Sequence, residues 1–159
     1  MSKVVGEPMD NCFVVSADCH VLEPPDLWEK RIERKFRHRI PRLELDRNGR
    51  KWLVVEGQER KRIRDFALDG EDRERAKGGT FNLDKRTGDL RRDGVHAEIV
   101  YPNRGLLMWT SPDPAMQAAM CRVWNDWAIE AFSPRQTQTF PTAAIAPLDV
   151  GSAVLEVRR

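Results

Sequence analysis

Three short apolar runs, each followed by a stretch of helical period, constrain this 159-residue chain more than any other feature. The first run, 12–17, is β-branched or aromatic with small residues and apolar on both alternating sets, as in a strand buried on both faces. Residues 95–101 form a second strand that ends at Pro102, and 139–146 a third that tolerates Pro141 near its start. After the first strand, Pro25 and Asp26 open a helix that places Leu27, Trp28, Arg31, Ile32, Lys35 and Phe36 at helical spacing. A short polar helix over 84–93 leads into the second strand and is closed by Gly94, where a helix end needs a left-handed residue. Ser111, Pro112 and Asp113 then start a helix whose Met116, Met120, Val123, Trp124, Trp127, Ala128 and Phe132 make a broad apolar stripe, ended by Ser133 and Pro134. Asp149 caps a last helix with Val150, Ala153, Val154 and Val157 on one face, and no later segment is left to cover them. Strand and helix alternate throughout, which predicts an α/β fold with a parallel sheet.

Residues 43–82 interrupt that alternation as an inserted hairpin and mobile loop. Asn48 and Gly49 suit a tight turn between 43–46 and 51–56, and 64–82 carries Gly70, Gly78 and Gly79 among many charges. The length allows one domain with a real core, so 1–159 reads as a single domain. With 27 basic and 25 acidic side chains the formal charge is only +2, too little for a global field that holds nucleic acid or an anionic membrane. Cys12, Cys19 and Cys121 are odd in number and lack close pair spacing, which argues against a disulfide framework or a thiolate zinc site and for a reducing, cytoplasmic setting. No run of signal-peptide or membrane-spanning length occurs.

The chemistry-bearing feature is Asp18 Cys19 His20 at the end of the first strand. Alternate strand residues share a face, so the Asp18 carboxylate and His20 imidazole converge on one small volume, the beginning of a metal site, while Cys19 points the other way. Tyr101, Asn103 and Arg104 follow the second strand as substrate-binding candidates, and Arg104 can grip a carboxylate through two hydrogen bonds. An ordinary turn over 102–105 is the other reading. The basic stretch 30–39 has Glu33 interleaved and reads as a solvated helix face rather than a nucleic-acid site. Neither His38 nor His96 has a second ligand at i+2 or i+4, and the Trp109, Trp124 and Trp127 group reads as core.

Four stretches in order resemble one family. Ser16 to His20 with Val21 Leu22 Glu23 Pro24 Pro25 Asp26 Leu27 Trp28 is similar to the opening of the amidohydrolase-related family that includes the aminocarboxymuconate-semialdehyde decarboxylases. Asp93 Gly94 Val95 through Val100 Tyr101 Pro102, then Cys121 Arg122 Val123 Trp124 Asn125 Asp126 Trp127, then Ala144 Ile145 Ala146 Pro147 Leu148 Asp149 resemble it further along. The resemblance implies a (β/α)8 barrel with its site at the C-terminal strand ends and a divalent metal, Zn2+ or a similar ion, held partly by Asp18 and His20. Many relatives carry His where this chain has Asp18. The family's later ligands, a histidine on a middle strand and an aspartate on the last, have no counterpart here.

A barrel of eight strands takes about 250 residues, so the expectation is a partial TIM-type barrel: the N-terminal portion, three strand-helix units with the hairpin and loop inserted after the first strand. The implied activity is metal-dependent hydrolysis or non-oxidative decarboxylation of a small carboxylate or an aromatic or unsaturated acid, with the truncated chain inactive alone. The expected partners are a small-molecule substrate and a second copy through the unpaired sheet edges, with no nucleic acid and no membrane. The alternative from another class is a non-catalytic α/β module that binds through its basic helix or open sheet edge.

Overall fold

A computed structural model describes residues 12–63, 70 and 82–159 of the chain. Strands β1 (Val15–Val21), β5 (Ala97–Pro102) and β6 (Thr139–Pro141) form a parallel sheet in the order β1-β5-β6. A separate antiparallel sheet holds β2 (Arg42–Leu45), β3 (Lys51–Val54) and β4 (Lys61–Ile63). The helices are α1 (Leu27–Arg31), α2 (Leu83–Arg92), α3 (Pro114–Phe132) and α4 (Val150–Arg158). The architecture is thus mixed α/β with a parallel sheet. None of the helices is long and apolar enough to cross a membrane, among the described residues.

Helix α3 is the centre of the core. Its Met116, Met120, Val123, Trp124, Ala128 and Phe132 are buried and meet Val21, Leu27, Trp28, Ile32, Phe36 and Val100. The expected stripe therefore holds, but the expected start does not. Asp113, not Ser111, is the cap, accepting from the Ala115 N–H at 2.9 Å, with Pro114 in the first turn. A residue before proline is pushed out of helical geometry, so Asp113 cannot sit inside the helix and the start moves past it.

The first predicted helix is also corrected. It breaks at Ile32, and Arg34–Arg39 continues as a 3-10 segment. One continuous helix would align Lys30 with Arg34, Arg31 with Lys35 and Lys35 with Arg39 at i,i+4, all like charges. The break still buries Ile32 and Phe36. It also turns Arg39 toward Glu56 (Nε to Oε1, 2.8 Å) and Asp113 (Nη1 to Oδ2, 2.7 Å), tying this segment to the inserted sheet and to the start of α3. Hydrogen bonds from Arg39 hold both carboxyls below the usual range. Depressed carboxyl pKa values contribute stability that is present above about pH 4 and lost as pH falls through the folded-state values. Arg39→Gln is expected to flatten the loss of urea stability between neutral and acidic pH; parallel curves for variant and parent would contradict this.

The hairpin around Gly49, whose φ is +73°, forms as expected, and Asp46 Oδ1 accepts from the Asn48 and Arg50 N–H groups. Strand β4 was not expected. It follows a second tight turn at Gly57, φ +72°, and Arg60 stacks on the Trp52 ring at 4.4 Å. The polar helix ends as anticipated: Gly94 has φ +70°, and the Gly94 and Val95 N–H groups return to the Arg91 and Leu90 carbonyls. The predicted mobile loop falls largely outside the described residues.

Two strand expectations fail in part. The run at 12–17 is not buried on both faces: Phe13, Val14 and Val15 are exposed, and Phe13 and Val14 precede β1, an edge strand with β5 on one side and no neighbour on the other among the described residues. The third strand stops at Pro141 rather than 146. Its neighbour β5 ends at Pro102, so 143–146 has no ladder to join and is held by α3 instead. Asn125 both accepts from the Ala144 N–H and donates to its carbonyl, at 2.8 and 2.9 Å. Helix α4 is capped by Asp149 as predicted and leaves Val150, Val154, Leu155 and Val157 exposed.

Candidate metal centre

Strand β1 carries one extra residue. Ser16 lies opposite Glu98 and Cys19 opposite Val100, so three steps along β1 match two along β5. This bulge reverses the phase of the strand beyond it. Cys19 and Val21 consequently face the core beside Val100, and His20 lies opposite Tyr101 on the other face. There Asp18 Oδ1 stands 3.4 Å from His20 Nε2, with the Asp18 side chain 85% exposed and that of His20 36%. The Tyr101 ring lies beside the imidazole, centroid to centroid 5.8 Å.

The other ring nitrogen fixes the tautomer. His20 Nδ1 is 2.8 Å from the Pro102 carbonyl oxygen, which can only accept, so Nδ1 carries the hydrogen. In a neutral ring Nε2 then presents a lone pair toward the Asp18 carboxylate. Such a pair is held together either by a proton on Nε2, as an imidazolium–carboxylate ion pair, or by a cation that both atoms bind. One oxygen and one imidazole donor suit zinc or a similar divalent ion, and a ligand histidine anchored through its second nitrogen is the usual arrangement. The residues present therefore fit a metal as a two-donor set. No group of three or more His, Cys, Asp or Glu gathers among the described residues.

The other predicted site residues are near but not equivalent. Tyr101 is half-buried at the imidazole, Asn103 is exposed, and the Arg104 guanidinium donates to the Pro25 carbonyl at 3.2 Å on the loop after β1. Of the three tryptophans read as core, Trp124 is buried and Trp127 packs against it, whereas Trp109 is partly exposed and donates to the Ile145 carbonyl at 2.7 Å.

No protein-family model matches the chain, and no curated protein does. Solved structures do. An amidohydrolase from Mycobacterium avium subsp. paratuberculosis K-10 matches 93% of this chain with a TM-score of 0.66 at 18% identity. The 2,6-dihydroxybenzoate decarboxylase from Rhizobium matches 92% with a TM-score of 0.51 at 17% identity. The chain shares the fold of part of each of these proteins. It spans 46% of the first of these proteins and 34% of the second.

Three charged residues that sequence reasoning missed brace the backbone on either side of the pair. Glu23, 1% exposed, accepts from the N–H groups of Asn103, Arg104 and Gly105 at 2.9 to 3.0 Å. Glu98, fully buried in β5, takes a two-pronged contact from Arg86 of α2, at 2.8 Å (Nε to Oε1) and 2.6 Å (Nη2 to Oε2). Arg86 also donates to the His20 carbonyl at 3.1 Å. A lone acid within the apolar run at 97–100 was the available signal for Glu98; a carboxylate just before two prolines was a weaker one for Glu23. Burial pushes the Cys19 thiol up, and pushes that of Cys121 up to about 12.

Proposed function

We propose that Asp18 and His20 are two ligands of a divalent metal, Zn2+ or a similar ion, in a cytoplasmic amidohydrolase-like enzyme. The chain supplies three strand-helix units of a (β/α)8 barrel, and the enzyme acts on a small carboxylate or an aromatic or unsaturated acid by hydrolysis or non-oxidative decarboxylation. One observation carries the reading: at the C-terminal end of β1, Nε2 of a histidine anchored through Nδ1 faces a carboxylate oxygen 3.4 Å away. The likeness of fold to an amidohydrolase and a decarboxylase supports it.

When bound, the metal supplies Lewis acidity, either lowering the pKa of water or gripping substrate oxygens. The chain's own residues bind and orient. Asp18 contributes negative charge to the cation and His20 a neutral nitrogen donor. Tyr101 walls the imidazole and offers an aromatic ring to a planar substrate, and Asn103 and Arg104 form the loop that would receive a carboxylate.

Titration of zinc into the metal-stripped complete enzyme is expected to show a site weakened at least about tenfold by Asp18→Ala or His20→Ala and unaffected by His38→Ala. Release of CO2 or hydrolysis products from a panel of aromatic and unsaturated acids should, in the complete enzyme, depend on metal and on His20. Zinc binding that ignores both substitutions would end this proposal and favour a metal-indifferent binding module.

A further inference from the structure

The Pro102 carbonyl decides which way the His20 ring is protonated, so whatever fixes Pro102 fixes the donor atom. Residues 102–105 turn from β5 into the 3-10 segment Arg104–Thr110, a bend whose backbone N–H groups have no ladder to join. Glu23, two residues beyond the end of β1, satisfies three of them: Asn103 and Gly105 donate to Oε1 at 3.0 and 2.9 Å, and Arg104 to Oε2 at 2.9 Å. The other side is closed by packing. A Cβ added to Gly105 would lie 2.5 Å from Pro102 Cβ, 2.7 Å from Met108 Cε and 3.1 Å from Glu23 Oε1. The bend is held from both directions.

We infer that Glu23 is a positioning residue for His20: its buried carboxylate clamps 103–105, the clamp fixes the Pro102 carbonyl, and that carbonyl keeps hydrogen on Nδ1 and the lone pair on Nε2. The chemistry requires a carboxylate. Three converging N–H groups need acceptors only, and an amide of the same shape turns an NH2 toward at least one of them. A buried donor facing a donor opens the bend. The consequence for metal affinity rests on the function proposed above; the consequence for the tautomer does not.

The test reads the ring directly. In 15N-labelled, metal-free protein in mildly alkaline buffer, two-bond nitrogen-proton correlations of His20 are expected to show the Nδ1–H tautomer. Glu23→Gln should shift His20 toward Nε2–H and weaken zinc binding about tenfold to a hundredfold, with near-ultraviolet circular dichroism confirming that the variant is folded. Glu23→Asp keeps both acceptor oxygens on a shorter stem and should restore part of the Nδ1–H population, which a purely structural role would not require. An unchanged Nδ1–H tautomer in folded Glu23→Gln, or a Glu23→Asp protein shifted as far toward Nε2–H as Glu23→Gln, overturns the inference. A shifted tautomer in a protein whose zinc affinity ignores His20→Ala upholds the clamp and removes the metal reading instead.

Discussion

Arg86→Ala should destabilise the protein by about 3–5 kcal/mol, because it leaves the Glu98 carboxylate charged, buried and without its partner. The Arg86 side chain is 15% exposed and that of Glu98 is fully buried, and among the described residues Thr139 Oγ1, 3.3 Å from Oε1, and the Cys19 thiol are weaker donors that stay. A hydroxyl and a thiol do not replace a guanidinium fork. Glu98→Ala should cost a similar amount for the opposite reason, a stranded cation. The double variant Arg86→Met with Glu98→Leu should recover most of the loss, since a buried pair replaced by apolar side chains of similar volume is close to neutral. Urea denaturation of the four proteins checks this, and single variants within about 1 kcal/mol of the parent would show that the pair is solvated in solution.

Trp124→Ala is expected to cost a similar amount, about 3–5 kcal/mol. Its indole is fully buried, lies 5.4 Å from the Trp127 ring, and donates through Nε1 to the Thr142 carbonyl at 2.9 Å. The substitution removes packing at the middle of α3 and, with it, one of the side chains that hold the chain beyond β6 in place. Trp124→Phe separates the two roles: it keeps most of the ring and strands the carbonyl, for about 1–3 kcal/mol. Trp109→Phe, at a site 38% exposed, is the control and should cost less than either Trp124 substitution. A thermal melt that ranks Trp109→Phe as the most damaging of the three would refute this account of the core.

What was legible in the sequence divides along the range of the interactions. The apolar stripe of α3, the Gly49 turn, the Gly94 helix end and the convergence of Asp18 with His20 are all set within a few residues, and each shows in spacing alone. Boundaries set by neighbours do not. Whether 139–146 continues as a strand depends on where β5 stops, whereas the choice of Asp113 over Ser111 as the cap of α3 was local, set by the adjacent Pro114. The buried charged groups were the least visible. Glu23 meets partners 80 to 82 positions away, and nothing near it in the chain announces an acid that will be buried.

The bulge in β1 gives this strand an arithmetic of its own. Every side chain after the surplus position owes its direction to an odd count, so removing one residue at Ala17 would exchange the exits of thiol and imidazole without altering either. Any alignment that closes this position with a gap will assign the role proposed for His20 to the wrong neighbour, and any redesign of the strand has to conserve its length before its letters.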